Sequence, residues 1–560
     1  MFRRSLAIAA AVAVASVSLA SCSSSGSGQA QQYSSHRDQG LEKLSNMETN
    51  TYLSGPLSSP GGAFMTDRFG RTVILHGVNA VYKLAPFTLT VEPGKDNSLD
   101  AADAARISND GFNVVRLGVI WAGIEPGSGG PNQPKVCTPG PYKDPGMWNQ
   151  KVADAYIQKV DAVVKELGRF HIYSLIDMHQ DVWSSVFSGE GAPPWAVCTN
   201  GHPVVIYPGR WSNNYANPAV DASFVNFFNN AVQGGLENEY QRSWVALARH
   251  FQSNPWVAGY DPINEPLGLQ AALGQGGRHY TVGLSCLYGG SDGETQEINS
   301  NHTLICPPNV PKRGLIETLL ETDTRHLVFP EIDNASDNGR TLFVTKAKDL
   351  VRVVYNFHDY CPERSGVTGN PVDLQTCSDK ELLTMTKQSQ LRLLYDTPSQ
   401  PGGPAIMMTE FGATSDQALA ALLVSDASTL GLSWSWWAWR YYHDPTGSSA
   451  EGLINEKNQY SPVITPLTDT HVVAVAGDLL SAQSSQLVGS LTLVYSPTGT
   501  IHAPTTIYVS PRSYPVGYCV YANGATITSK PGAQYLTLDN TTTDGTIVVR
   551  IEPGTCVSSS

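Results

Sequence analysis

Two short stretches of the chain end in a carboxylate. Residues 257–266 read V-A-G-Y-D-P-I-N-E-P, an apolar lead into Asn264, Glu265 and Pro266. Residues 405–412 read A-I-M-M-T-E-F-G and deliver Glu410 in the same way. Each lead-in has the texture of a buried strand, and Pro266 stops the first ladder where the acid begins. One acid at a strand end is ordinarily a solvated loop residue. Two, on separate strands, are what a glycosidic bond needs for its cleavage, one as acid and base and one as nucleophile.

The elements that would position them can be read in order. Six further runs are apolar and β-branched: 72–79, 112–119, 171–178, 326–333, 351–358 and 432–439. Segments of helical length separate them, among them 100–109, 150–168, 241–252, 312–322, 379–395 and 416–424. Strands alternating with helices predict parallel βα units. Closed on themselves, the eight units make an α/β fold, a (β/α)8 TIM barrel over residues 51–461, with its chemistry on the loops after the strands. An open doubly wound sheet is the alternative, but no glycine-rich phosphate loop follows the first run, so its usual nucleotide ligand has no support. From 462 to 560 the helical period disappears. Short alternating runs at 490–495, 505–509, 517–522, 534–538 and 546–551 predict a small antiparallel β-sandwich.

A barrel of this kind gathers polar residues at one mouth. Arg116 lies in the second run, and His179, Gln180 and Asp181 follow the third. Asn264 and Glu265 end the fourth, and His358 and Tyr360 end the sixth. Glu410 ends the seventh, and Trp437 and Trp439 lie in the eighth. This set resembles glycoside hydrolase family 5, a family of retaining (β/α)8 glycosidases, over roughly residues 60–445. The family pattern falls on Arg116, His179, Asn264, Glu265, His358, Tyr360, Glu410 and Trp437, with Trp436 and Trp439 as alternatives for the last. Within the family, H-G-V-N-A-V-Y-K, D-M-H-Q-D-V-W, D-P-I-N-E-P and W-A-W-R-Y-Y-H-D are similar to endoglycoceramidases. Those enzymes cut between an oligosaccharide and ceramide and carry a β-sandwich after the barrel.

The resemblance implies roles. Glu410 would be the nucleophile and Glu265 the proton donor, its pKa raised by the charge on Glu410. Arg116 and Tyr360 would hold Glu410, and Asn264 would reach the sugar 2-hydroxyl. His179 and His358 would bind other hydroxyls, and Trp437 would lie under the ring. Lys83, Asp181 and Trp183 would line the sugar site. No metal or cofactor is called for. An endo-β-glucanase acting on polysaccharide and a non-catalytic glycan-binding lipoprotein are the alternatives.

The N-terminus addresses location. Arg3 and Arg4 precede an apolar run from Leu6 to Leu19, too short to span a bilayer, which makes residues 1–22 a signal peptide. The L-A-S-C ending at Cys22 resembles a bacterial lipobox, which implies export, lipidation of Cys22 and attachment to a membrane. Residues 23–50, rich in Ser, Gly and Gln, read as a flexible tether. Nine cysteines less Cys22 leave Cys137, Cys198, Cys286, Cys306, Cys361, Cys377, Cys519 and Cys556. Paired in sequence order they make four disulfides. A zinc site is the other use, but the C-x-x-C spacing it favours is missing. A net charge of −13 argues against a nucleic-acid partner. The chain is expected to act as a monomer on a glycolipid or oligosaccharide. Leu84, Phe87 and Leu89 after the first run are expected to supply an apolar groove beside Glu265. So are Val186, Phe187, Trp195, Phe224, Phe227 and Phe228 between the third and fourth.

Overall fold

Eight short runs become eight parallel strands: β1 His76–Ala80, β2 Val114–Val119, β3 Tyr173–Met178, β4 Val257–Asp261, β5 Leu327–Val328, β6 Val354–Asp359, β7 Ala405–Phe411 and β8 Ser433–Trp436. The computed structural model describes residues 29–33, 53, 55–127, 137, 146–208, 211–230, 235–266, 278–290, 306, 309–331, 352–361, 373–443, 445–485, 489–530, 532–554 and 556. The segment read as a signal peptide and Cys22 lie outside these. Their hydrogen-bonded order is β5-β4-β3-β2-β1-β8-β7-β6. Parallel bridges from Val328 to Val353 and from Glu331 to Asn356 join the two ends and close the (β/α)8 barrel. Every barrel-strand residue is buried, as expected of strands covered on both faces. Helix starts between them are fixed by side-chain caps. Asp100, Asn149, Asp373 and Asp416 accept main-chain N–H groups at the heads of Ala101–Asn109, Gln150–Arg169, Leu374–Leu391 and Gln417–Thr429.

Side-chain alternation divides the barrel's interior into two levels. The lower level is apolar, with Leu75, Val114, Tyr173, Leu175, Val354, Ala405 and Met407 in one cluster. The upper level is polar, with Asn79, Arg116, Asp177, Asp261 and Asn356 all fully buried. The site is built on that upper level.

The C-terminal region forms two antiparallel sheets around a separate apolar core. One has five strands: Gln29–Tyr33, Tyr518–Asn523, Ile547–Pro553, Ser490–Pro497 and Gly477–Ser485. The other has six, centred on His471–Val475 and Thr505–Tyr508. Two expectations need correction here. The run 72–79 is not one strand. Thr72–Val73 pairs antiparallel with His471–Val475 in the six-stranded sheet, and only His76–Ala80 enters the barrel. Likewise, the segment read as a flexible tether contributes Gln29–Tyr33, paired in register with Tyr518–Asn523. Among the described residues, no helix is long and apolar enough to cross a membrane. The disulfides are Cys137–Cys198, Cys286–Cys306, Cys361–Cys377 and Cys519–Cys556, the sequence-order pairing.

Candidate active site

Arg116 is the centre of the polar level. Its guanidinium donates to Asp261 at 2.9 Å, Asp177 at 3.0 Å, and the amide oxygens of Asn79 and Asn264 at 3.2 and 2.8 Å. It also donates to Oε1 of Glu410. Five donors in a rigid fork are here shared among five residues from four strand ends, which a lysine could not imitate. The surrounding carboxylates hold its pKa well above the usual arginine value despite burial.

Glu410 reaches this level because β7 carries a bulge. The register with β6 runs Met408 opposite Phe357 and then Glu410 opposite His358, skipping Thr409. Thr409 bonds inward to Asn356, and Glu410 still points to the site. An extra residue re-aims a strand in just this manner. Oε2 of Glu410 accepts from the Tyr360 hydroxyl at 2.8 Å. Glu265 follows β4, with φ of 38°, a left-handed conformation that costs a non-glycine residue about 1–3 kcal/mol. Its main chain is gripped at both ends. The Gln180 amide donates to the carbonyls of Asn264 and Glu265 at 2.9 and 3.0 Å, and the Glu265 N–H donates to Oε2 of Glu331 at 2.7 Å.

The two acids meet across His358. Its Nδ1 lies 3.1 Å from Oε1 of Glu265 and 3.6 Å from Oε2 of Glu410. One oxygen of each acid and a nitrogen of His358 all fall within 4.8 Å of one another. Burial lowers the His358 pKa to about 3, so the imidazole is neutral. Burial raises Glu265 to about 7, with the Asp181 carboxylate the next cause and Lys83 and Arg116 opposing. Burial, and not the charge on Glu410, is thus the first cause, while the repulsion between the two acids is felt at Glu410, which Glu265 raises. Glu410 is itself raised, by burial first, and lowered by His358 and Arg116. Glu265 keeps 16% of its side-chain surface and Glu410 5%, so Glu265 is the more accessible of the pair.

Beside them lies a second cluster. Lys83 donates to Asp181 at 2.5 Å and to the Thr446 hydroxyl at 2.9 Å, and Thr446 donates to Asp181 at 2.7 Å. The Lys83 ammonium stands 4.5 Å above the Trp437 ring. His179 stacks along Trp437 at 5.4 Å between centroids and is oriented through Nδ1 by Asp177 at 2.7 Å. Its buried Nε2 has no hydrogen-bond partner among the described residues. His179, Asp181 and Glu190 have the spacing of a metal site, with one ligand atom each inside 4.8 Å. The Lys83 ammonium already lies 3.8 Å from Glu190 as well as against Asp181, supplying the positive charge there.

Alternation and burial together decide among the tryptophans. Trp434 and Trp436 face the helices and are fully buried, as is Trp439. Trp437 has the inward parity and joins Val81, Ala438 and Tyr360 at the mouth. Trp183 does not line this site. It is 2% exposed and packs on Trp121, Phe224 and Phe227. The other aromatics expected to be exposed are in the same cluster. Phe187, Trp195, Phe224, Phe227 and Phe228 are all at most 1% exposed, Leu89 is buried, and Phe87 and Val186 are half-buried. An amphipathic-looking excursion has closed on a core of its own, since aromatic pairs bury better against each other than against water. What remains exposed is Leu84 in the first loop and Val204, Val205 and Ile206 in the excursion.

Sequence reading also passed over several residues now at the site: Asn79, Asp177, Glu190, Asp261, Glu331, Thr446 and Glu451. Asp177, Asp261 and Glu331 had a signal, a polar residue at the carboxyl end of a barrel strand. Thr446 and Glu451 had none. Glu451 accepts from the Trp437 indole N–H at 3.0 Å.

A closed (β/α)8 barrel with two acids, two imidazoles and an aromatic platform at its carboxyl mouth defines a glycoside hydrolase. Residues 75–443 match the family model for cellulase (glycosyl hydrolase family 5), and the chain belongs to that family. It is 26% identical over 491 residues to endoglycoceramidase I of Rhodococcus hoagii (strain 103S), covering 85% of this chain and 84% of that one. An endoglycoceramidase of Cyanea nozakii is 29% identical over 223 residues, 36% of this chain and 40% of that one. Among solved structures, endo-glycoceramidase II from a Rhodococcus species in complex with ganglioside GM3 superposes with a TM-score of 0.67. That likeness spans 88% of this chain and all of the other at 22% identity, and it is a likeness of fold.

Proposed function

We propose that this hydrolase is a retaining β-glycosidase that cuts the bond between a glycan and a lipid aglycone, as endoglycoceramidases do. The observation that carries the reading is the Glu265–Glu410 pair, with oxygens inside 4.8 Å and different surroundings. Retaining enzymes hold their two carboxyl groups about 5–5.5 Å apart, inverting ones farther, to admit a water. Glu410, held by Arg116 and Tyr360, attacks the anomeric carbon as a carboxylate and forms a glycosyl ester. Glu265, with its pKa raised to about 7, gives its proton to the departing oxygen. With Glu410 esterified, Glu265 takes a proton from the water that cleaves the ester. Trp437 is the floor under the sugar. Lys83, Asp181 and His179 Nε2 bind its hydroxyls. Asn264 has one amide hydrogen on the Gln180 carbonyl, at 3.1 Å, and the other available for the 2-hydroxyl.

The length of the similarity to endoglycoceramidase I supports a lipid aglycone. The lipobox supports export and a lipid anchor at Cys22. The family description favours a second reading, an endo-β-glucanase on polysaccharide. A digest of gangliosides, lactosylceramide, alkyl glycosides and soluble cellulose, read by mass spectrometry, separates the two. Intact oligosaccharide plus ceramide is the expected product, with the β-anomer first by proton NMR. Cello-oligosaccharides alone would overturn the glycolipid reading.

A further inference from the structure

Glu331 follows the fifth barrel strand at its carboxyl end, beside the polar level, and the catalytic scheme gives it no task. It is fully buried. Its Oε2 accepts the main-chain N–H of Glu265 at 2.7 Å and lies 3.5 Å from Nε2 of His358. The opposite nitrogen of that imidazole touches the Glu265 carboxyl at 3.1 Å. Glu331 is in turn held, its carbonyl accepting from the buried Tyr288 hydroxyl at 2.6 Å and its main chain bridging to Asn356 on β6. So one carboxyl anchors the backbone from which Glu265 springs and lies beside the ring against which its side chain rests. The backbone needs an anchor, because Glu265 sits at φ 38° and an unpaired buried N–H would be free to rotate out of that region.

We propose that Glu331 is a positioning residue for proton transfer, fixing the Glu265 carboxyl on the line to the leaving oxygen. This rests on the reading of Glu265 as proton donor. Glu331 touches no reacting atom, and its effect passes through Glu265. The charged and titratable groups facing Glu265 are Lys83 from the loop after β1, Arg116 on β2, Asp177 and Asp181 on and after β3, Tyr215 between β3 and β4, Glu331 after β5, His358 on β6, Tyr360 after β6 and Glu410 on β7. Of these, only Glu331 is bonded to the Glu265 main chain among the described contacts.

The test compares two lactosides that differ in their need for a proton. Octyl β-lactoside releases an alkoxide that must be protonated, whereas 2,4-dinitrophenyl β-lactoside releases a stable anion. In Glu331→Leu, kcat/KM on the octyl lactoside should fall ~100-fold, the scale of a ~1 Å misplacement, and stay within ~3-fold on the dinitrophenyl lactoside. With the activated substrate, kcat should fall and recover with azide, which replaces the water that Glu265 would have deprotonated. Glu331→Gln keeps an oxygen for the N–H and should lose less than ~10-fold on the octyl lactoside. The basic limb of its pH profile should nevertheless move. Equal losses on both lactosides, or no loss on either, would overturn the proposal. If the leucine variant melts below assay temperature, the glutamine variant's pH profile decides, and an unmoved basic limb refutes. Neither probe carries ceramide, so failure to cleave lactosylceramide would remove the glycolipid reading and leave this result standing.

Discussion

Seven carboxyl groups crowd the upper barrel: Asp177, Asp181, Glu190, Asp261, Glu265, Glu331 and Glu410 are all near Arg116 and Lys83. Two fixed positive charges cannot keep seven buried anions ionised. Some protons must stay, and Asp177, Asp261 and Glu265 are each raised to about 7, burial being the first cause in every case. The pH dependence of activity follows in sign. Glu265 must be protonated to act, so kcat/KM is lost as pH rises through about 7. Glu410 must be ionised, so kcat/KM is also lost as pH falls, at a limb above the ordinary carboxylate value. Because these groups interact, the limbs report the cluster rather than single residues. Glu265→Gln should remove the basic limb and cost ~10²–10⁴-fold on substrates with poor leaving groups. A kcat/KM that stays flat from neutral to alkaline pH in the wild type would refute the assignment. Arg116→Ala removes the cation that Asp177, Asp261 and Glu410 share in the interior. It should destabilise the fold by about 3–5 kcal/mol, measurable by denaturant titration.

Among the elements, what could be read from sequence was what has a period or a motif. The eight strands and their alternation with helices were visible because buried parallel strands are continuous apolar runs. The acids Glu265 and Glu410 were visible because each interrupts such a run. The bulge at Thr409 was not, since nothing in A-I-M-M-T-E-F-G marks which residue will be skipped. The large aromatics between β3 and β4 were misread for a physical reason. Sequence gives their apolarity but not whether a partner layer exists, and here Trp121 and Tyr240 supply it, at 6.2 and 5.2 Å from the Phe227 ring. Phe227→Ala should therefore cost about 3–5 kcal/mol of stability, as a core truncation does. It should leave the preference for lipid over soluble aglycones unchanged at temperatures where it stays folded. A selective loss on lipid substrates with wild-type melting would restore Phe227 to a lipid-binding surface.

At the scale of the whole molecule, the sandwich is fastened to the barrel beneath the site. His76 of β1 stacks on Trp434 of β8 and meets His471 of the six-stranded sheet at 4.2 Å. Arg512 pairs with Asp110 at 2.5 Å, and Tyr508 and Gln534 donate to the Asn109 carbonyl at 3.0 and 2.7 Å. These are joints between rigid parts, so whatever fixes the sandwich also fixes the barrel. Gln29–Tyr33 adds a strand to the sandwich edge through main-chain pairing, Gln29 opposite Ala522 and Tyr33 opposite Tyr518. Its sequence, Q-A-Q-Q-Y, has no apolar alternation, which is why it read as tether. The consequence concerns the proposed anchor. Gln29 is seven residues beyond Cys22, a reach of at most ~25 Å at about 3.5 Å per residue. A lipid on Cys22 would thus hold the sandwich edge close to the bilayer instead of letting the enzyme range over the length of a free linker. Energy transfer from a dye on Asn523→Cys, beside the Gln29 end of the strand, to labelled lipid in vesicles measures this. Transfer should be high in the lipidated protein. It should drop in Gln31→Pro, where proline takes an N–H out of the added strand and obstructs its pairing, while Cys22 stays acylated by mass spectrometry. Equal transfer in the two proteins would mean that the strand does not set the distance from the membrane.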